Sequence, residues 1–364
     1  MRIGLFDYDL PPEFIAQRPV EPRENSRLMV VNCESGTWEH LRFGDLPTCL
    51  ESGDCLVLNR SRVRRSRLRG SKVGGGGKVE ILLLRRQGND VWEVLARPAR
   101  RLRPGVELII GEGALRAKIL EKGERGCFSI HLYPGESGEV EELVERIGEV
   151  PLPPYIKEGL EDPQRYQTIY AGEVGSAAAL TAGLHFEIGT LQRLLDIGVR
   201  LASLRLDVGL DTFRPIQEEE VEKHRLHSEE LYLDEEECNT INITREKGHR
   251  IVAVGTTVVR ALESAISGDE VLPFSGSTDL FIYPGFRFRA VDALVTNFHL
   301  PKSSLLLMVC AFAGRELVMS VYRDAMEEGY RFLSFGDACL FYFPRGRRTF
   351  DHIFAQTVKE ESER

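Results

Sequence analysis

The chain has little of what marks the special classes of protein. Its seven cysteines are scattered over 364 residues, with no C-x-x-C pair and no even framework. That argues against a disulfide scaffold and points to a reducing compartment. The longest apolar run, "LLLMVCAFA" from Leu305 to Ala313, falls far short of the ~20 residues a membrane helix needs. The opening "MRIGLFDYDLPPEFIAQ" turns acidic and proline-rich at once, unlike a secretory leader. No internal repeat, G-x-S-x-G elbow, H-E-x-x-H pair, phosphate loop or G-x-G-x-x-G loop occurs, so the commonest hydrolase, zinc-protease and nucleotide-binding patterns are missing. Positive charge is in deficit too: 47 Lys+Arg against 56 Asp+Glu give −9. A cytoplasmic, enzyme-sized protein with no membrane association is expected.

The composition that remains, 42% hydrophobic and 28% charged, is that of a globular chain long enough for two or three domains. The charge, however, is uneven. From Arg60 to Arg103 there are 14 Lys+Arg and three acids, a local +11, so the remainder carries −20. "LNRSRVRRSRLRG" (58–70) is the densest part, with arginine at six of the ten positions from Arg60 to Arg69. Such a dipole orients a polyanion on one region and repels it from the rest. The arginines alternate at 60, 62 and 64 and again at 65, 67 and 69. An extended segment would therefore flip its charged face at Arg64–Arg65 unless a bulge intervenes. Surface ion pairing is the plain alternative use of these arginines.

Short apolar runs punctuated by turn residues, "VEILLL" (79–84), "VWEVLA" (91–96), "VELII" (106–110), "LRAKIL" (115–120) and "CFSIHL" (127–132), predict a small β-barrel or sandwich. "EVEELVERIG" (139–148) reads as a helix. Beyond it the pattern is mixed. Strands are expected at 199–208, 249–255, 279–283 and 289–296, and in "CLVL" (55–58). Helices are expected at 190–198, 234–248, 256–266, 304–314 and 316–329, with Asp234 and Thr256 or Thr257 as N-caps. The expected architecture is a larger discontinuous α/β domain, residues 1–64 plus 151–364, interrupted by an inserted β-rich domain, 65–150.

Four polar, glycine-marked stretches carry candidate chemistry. "GSAAALTAGLHF" (175–186) offers Ser176, Thr181, Gly183 and His185, with small residues that let a ligand approach; a tight crossover would look the same. "LDVGLDTFRPI" (206–216) is followed by "HRLHSEEL" (224–231). His224 and His227 at i, i+3 lack a third zinc ligand at the usual spacing, while His227 and Glu229 share one face of a strand. "VAVGTTVVRALES" (252–264) puts Thr256 and Thr257 at a helix start, which an ordinary capped turn would also do. "TNFHLPKSSLLL" (296–307) groups Asn297, His299 and Lys302 at a strand end, where α/β sites are built.

Taken in order, "FDYDLPPEFIAQRP", "LVLNRSRV", "YQTIYA", "TAGLHF", "VGLDTFRP", "HSE", "VGTTVVRALES", "FIYPGF", "TNFHLPKS" and "FGDA" resemble the S-adenosylmethionine:tRNA ribosyltransferase-isomerase family of queuosine biosynthesis. The resemblance spans nearly the whole chain. It implies an α/β barrel-like larger domain with an inserted small β-barrel. It also implies a reaction: the ribosyl part of S-adenosylmethionine moves onto 7-aminomethyl-7-deazaguanine at the tRNA wobble position, giving epoxyqueuosine, adenine and methionine. S-adenosylmethionine is then a co-substrate and the tRNA anticodon stem-loop the partner. No metal is expected, and the protein is expected to act as a monomer.

In that chemistry the sulfonium acidifies C5′, adenine leaves more easily when protonated, and the amine attacks when neutral. Groups titrating near neutrality suit all three steps, so His185, His227 and His299 are the catalytic candidates, with Glu229 orienting an imidazole. The resemblance puts Asn59, Arg62, Ser176, Thr181, Gly183, Gly209, Thr212, Arg214, Thr256, Thr257, Arg260, Asn297 and Lys302 at the substrate. Arg60, Arg64, Arg65 and Arg67 are RNA-contact candidates, and Phe186, Phe213 and Phe298 possible stacking platforms for an unstacked base. The sequence departs from the family pattern at Arg60, Gly172, Leu180, Asp207 and Asp211. Aspartate in place of histidine at 207 removes one acid–base group. Competing expectations are a member that binds S-adenosylmethionine or RNA with altered or lost activity, and a non-catalytic RNA-binding protein.

Overall fold

The computed structural model describes residues 1–123, 126–209 and 215–344. The chain packs as two compact units. One comprises Met1–Arg62, Pro154–Glu173 and the chain from Ala179 on; the other comprises Val63–Pro153 and Val174–Ala178.

The larger unit is built on a nine-stranded mixed sheet. From one edge its strands are Phe274–Thr278, Glu229–Leu233, Arg200–Leu206, Cys55–Asn59, Ile251–Val254, Ala293–Asn297, Ala338–Tyr342, Arg27–Asn32 and Thr37–Arg42. The sheet is open, with edges at Phe274–Thr278 and Thr37–Arg42, so closure into a barrel belongs to the inserted unit alone. Every residue of Cys55–Asn59, Ile251–Val254 and Ala293–Asn297 is buried. Strands covered on both faces need continuous apolar runs, which is what "CLVL" and "IVAV" supply. The edge strand Thr37–Arg42 has no buried residue.

The sheet's register sets where chemistry can gather. Four neighbours, Arg200–Leu206, Cys55–Asn59, Ile251–Val254 and Ala293–Asn297, run parallel, so their carboxyl ends share one rim. Immediately past those ends come Asp207, Arg60, Gly255 and Phe298. Ala338–Tyr342 runs against Ala293–Asn297 with Asn297 opposite Ala338, and parallel to Arg27–Asn32 with Leu28 opposite Ala338. Ser26 and Asp337 therefore join Asn297 at the same rim.

The helices follow local rules. Asp234 caps Glu235–Glu246 by accepting from the Glu237 N–H at 3.1 Å, and three glutamates fill that helix's first turn, where the dipole favours them. Ser303 caps Ser304–Ala313, whose ten residues are all buried. Gly314, at φ +88°, ends it and starts Arg315–Glu327. No single helix among the described residues is long and apolar enough to cross a membrane. The cap of Thr256–Ala265 is Gly255 (φ +91°) rather than either threonine. The strand expected at 279–283 is absent. The strand stops at Thr278, because the carbonyls of Thr278 and Leu280 accept from the Arg260 guanidinium instead of from a neighbouring strand.

The smaller unit is a closed six-stranded antiparallel barrel in the order Cys127–Pro134, Val91–Arg97, Lys78–Gly88, Arg67–Lys72, Glu107–Ile110, Leu115–Lys122. Inward and outward residues alternate, as Leu115, Ala117 and Ile119 (in) with Arg116, Lys118 and Leu120 (out) show. Trp92 is fully buried, and Val140, Leu143 and Val144 of the helix Val140–Ile147 pack into the same core. Along 60–69 the burial phase flips at Arg64–Arg65. The Ser66 N–H turns back to the Arg64 carbonyl at 2.8 Å, so Ser61, Val63, Ser66 and Leu68 are buried while none of the six arginines is.

Candidate active site

His185 ends the short 3-10 turn Thr181–His185, and the turn depends on a glycine. A Cβ at Gly183 would lie 2.2 Å from the Tyr170 hydroxyl. The imidazole stacks on Phe43 with ring centroids 5.0 Å apart. Its Nδ1 lies 2.8 Å from Ser26 Oγ and its Nε2 3.1 Å from Asn297 Nδ2. The tautomer follows from the partners. Asn297 Nδ2 also donates to the Leu333 carbonyl at 3.1 Å, which fixes the amide and makes Nε2 an acceptor. Ser26 donates its proton to the Arg23 carbonyl, so Oγ receives the Nδ1–H. Burial, helped by Arg331, Arg23 and Arg165, drives the His185 pKa down to about 3.

Asn297 is the hinge between this imidazole and a pocket. Its Oδ1 is buried with no hydrogen-bond partner among the described residues. Asn297 lines a small pocket open to solvent, together with Tyr155, Thr181, His299, Leu333 and Ser334. His299 is held firmly: Tyr8 O–H donates to its carbonyl, its N–H donates to the Tyr322 hydroxyl, and its Nε2 lies 2.8 Å from Thr296 Oγ1. Nδ1 has no partner among the described residues. Burial takes this pKa to about 3 as well. The near-neutral titration expected of these histidines is therefore not what the protein sets up. Both are neutral at pH 7, because their surroundings desolvate a charge without pairing it.

The pocket's backbone is strained. Leu333 (φ +70°) and Lys302 (φ +57°) occupy the left-handed region, which side-chain-bearing residues enter at a cost. The Leu333 loop is held by Asp337, whose carboxylate accepts the N–H groups of Arg27 (2.9 Å) and Arg331 (2.8 Å). The Lys302 ammonium is 2.5 Å from Asp7, so its charge is matched within the protein.

Other candidates lie apart from this group or serve the frame. Glu229 and Arg260 form a buried ion pair, with the Gly209 N–H donating to Glu229 at 2.8 Å. Thr256 is buried at the helix start, and Gly255 lets that start approach Ala182, beside Thr181. Thr257 is half-buried next to it. The Asn59 amide is spent on backbone: it donates to the Leu206 carbonyl (2.9 Å) and accepts from Leu206 (3.1 Å) and Ser61 (3.0 Å). It clamps two parallel strands at the rim. His227 is exposed. His224 pairs with Glu218 at 2.8 Å rather than with a ligand set. Phe186 and Phe298 are fully buried in the core, so neither presents a stacking face. Thr212, Phe213, Arg214 and the departure Asp211 lie outside the described residues. Ser176 is buried in the segment that packs with the barrel unit.

Two of the departures, Arg60 and Gly172, are neighbours at the rim, and a third, Asp207, is held by adjacent residues. Asp207 accepts from Ser61 Oγ (2.6 Å) and is chelated by Arg205 (3.0 and 2.7 Å), so its carboxylate is committed to an ion pair. Gly172, where an arginine was expected, donates its N–H to the Arg60 carbonyl at 2.8 Å; the arginine missing at 172 stands next door at 60. The fifth departure, Leu180, is buried just before the Thr181 turn.

The arginine-rich segment resolves into different uses. Arg60 reaches Asp234 (3.8 Å), Arg67 reaches Glu80 (3.7 Å) and Arg69 reaches Glu149 (2.9 Å). Arg64 lies over the Trp92 ring at 4.8 Å. The side chains of Arg62 and Arg65 make no ion pair among the described residues.

Sequence reasoning did not single out Ser26, Phe43, Tyr155, Leu333 or Ser334. Ser26 and Phe43 carry no local signal; only the rim's register brings them to His185. Among the described residues no three His, Cys, Asp or Glu gather as metal ligands.

The family described as "Queuosine biosynthesis protein" matches residues 3–341. The chain is 53% identical over 341 residues to the S-adenosylmethionine:tRNA ribosyltransferase-isomerase of Moorella thermoacetica, covering 93% of this chain and 99% of that one. It is 52% identical, with the same coverage, to the protein of that name from Symbiobacterium thermophilum. The crystal structure of an S-adenosylmethionine tRNA ribosyltransferase from Thermotoga maritima is similar at 40% identity and a TM-score of 0.54, over 93% of this chain and 99% of that one. The chain belongs to the queuosine biosynthesis protein family.

Proposed function

We propose that the chain is an S-adenosylmethionine:tRNA ribosyltransferase-isomerase, moving the ribosyl part of S-adenosylmethionine onto the aminomethyl group of 7-aminomethyl-7-deazaguanine in tRNA. The observation that carries this reading is the pocket at the sheet rim, where Asn297 presents a buried, unpartnered acceptor between two neutral imidazoles. The relatives' shared name at about half identity supports it. An orphaned buried acceptor costs ~1–3 kcal/mol unless something donates to it. The amino edge of a purine and the hydroxyls of a ribose are such donors.

The charge state suits the substrate. A sulfonium is a fixed cation, and a protonated imidazole beside it would be repelled. Burial keeps His185 and His299 neutral, so the pocket receives the cation without that penalty. His299 lines the same pocket and stays unprotonated through the neutral range, which suits its Nδ1 to accept a hydrogen bond from substrate rather than to act as a strong base. His185 is a positioning residue: it holds the Asn297 amide so that Oδ1 faces substrate rather than Leu333. Arg62, whose side chain makes no ion pair among the described residues, is available to a phosphate or carboxylate.

The test is incubation with S-adenosylmethionine and tRNA bearing the aminomethyl-deazaguanine precursor. Release of adenine and methionine with a matching mass gain on the tRNA is the expected result. Binding of both substrates with no adenine release overturns it in favour of a member that has lost the reaction.

A further inference from the structure

Nine of the twelve described arginines of the barrel unit fall into two classes, and the division does not follow the sequence density. Arg67, Arg69, Arg85, Arg86 and Arg146 each face a carboxylate of the same unit. Arg97, Arg100, Arg101 and Arg103, four arginines within seven residues, are all exposed, and none makes an ion pair among the described residues. No acid lies between Arg97 and Val106. Glu80, which stands opposite Arg97 in the register, is taken by Arg67.

The segment that carries these four is not a loose loop. Leu102 is buried in the barrel core, and Ala99 and Val106 pack against that core. The 3-10 turn Ala99–Arg101 is closed by Leu102 N–H to the Ala99 carbonyl at 3.2 Å, and Lys72 Nζ donates to the Arg101 carbonyl. Gly105, at φ +85°, donates its N–H to the Ile119 carbonyl at 2.8 Å and fixes the exit. Apolar anchors below and unmatched guanidinium groups above make a preformed polyanion seat, with less side-chain and backbone entropy left to lose on binding.

We propose that Arg97, Arg100, Arg101 and Arg103 form the phosphate-backbone contact for tRNA on the barrel unit. In the denser 60–69 run half of the arginines, Arg60, Arg67 and Arg69, already face a carboxylate. This inference rests on the tRNA reading above and adds the surface that makes the contact. The matching is electrostatic: a chain of net charge −9 approaches a polyanion productively only through a patch whose positive charge is not already neutralised.

The experiment measures binding of full-length tRNA to the full chain across a salt series, independent of turnover. Arg100→Ala with Arg101→Ala is compared with Arg85→Ala with Arg146→Ala. Both doubles remove two positive charges, so a bulk charge effect cancels; they differ in position and in whether the charge already faces a carboxylate. Arg100 and Arg101 removal is expected to weaken binding about tenfold or more at moderate salt. It is also expected to lower the slope of log affinity against log salt by ~1.8, two phosphates at ~0.9 each. The Arg85/Arg146 double is expected to change affinity less than threefold. Equal effects from the two doubles, or wild-type affinity and slope in the Arg100/Arg101 double, overturn the proposal. All four side chains are exposed, and thermal melting verifies that both doubles fold. A wild-type protein that releases no adenine yet shows the position-dependent binding loss refutes the enzymatic reading and leaves this surface standing.

Discussion

The two units treat polar residues in opposite ways. In the larger unit His185, His299, Asn297, Glu229 and Arg260 are each less than a tenth exposed. Their states are set by neighbours: two imidazoles are forced neutral, one ion pair is sealed, and one amide oxygen is left open. In the barrel unit the charged residues are outside and the interior is apolar around Trp92. Burial makes one polar group specific, because an unmatched partner costs several kcal/mol. Exposure makes charge additive and screened, useful for collecting a polyanion and poor at choosing one. A substitution in the first unit should therefore act locally and strongly, and one in the second weakly, except where charge is unmatched.

The largest expected effect tests the sealed pair. Arg260→Ala removes the buried guanidinium that faces Glu229 and should lower unfolding free energy by ~3–5 kcal/mol, read by urea titration. A loss below ~1 kcal/mol would erase the contrast with the barrel's surface pairs. Next, Asn297→Ala removes the unpartnered acceptor and also the donor to His185 Nε2 and the Leu333 carbonyl; it should cut kcat/KM for adenine release ~10²–10³-fold and lower unfolding free energy by ~1–3 kcal/mol. A stability loss with kcat/KM unchanged would make Asn297 part of the frame alone.

The third prediction concerns pH. His185 and His299 titrate near 6.5 unfolded and about 3 folded, so the unfolded chain binds their protons first as pH falls. Their stabilisation is complete above pH 6.5 and is lost downward. Glu263, buried and raised to about 7, keeps its proton when folded and acts in the opposite sense between 4.5 and 7. The net is roughly one proton, so stability should fall by ~1.4 kcal/mol per pH unit from 6.5 to 5. His185→Asn should flatten that slope, measured by denaturant midpoints at each pH. The smallest effect belongs to the barrel: Arg69→Ala breaks an exposed pair with Glu149 and should shift stability by no more than ~1 kcal/mol.

Periodicity alone carried much of the fold. The all-buried runs "CLVL" and "IVAV", the barrel strands and the helices at 234–248 and 304–314 were legible, because burial on two faces, on one face or on a stripe each leaves its own spacing. The strand at 279–283 was misplaced because a distant guanidinium, Arg260, claims the carbonyls there. Arg27–Asn32, Thr37–Arg42 and Ala338–Tyr342 passed unnoticed, although the first and last hold Ser26 and Asp337 at the rim. Asn297, His299, Thr181 and His185 were legible as candidates, since polar residues after apolar strands stand out.

Composition and pattern by themselves determined an α/β domain with an inserted β-rich unit and the charge asymmetry, and the ordered motifs carried the family resemblance. Tertiary structure alone decided which histidine nitrogen carries the proton, that both imidazoles are neutral, that Asp207 is locked by Arg205 and Ser61, and which arginines remain unmatched. Each of these depends on what lies a few ångströms away in space, and those neighbours are often more than a hundred residues distant along the chain.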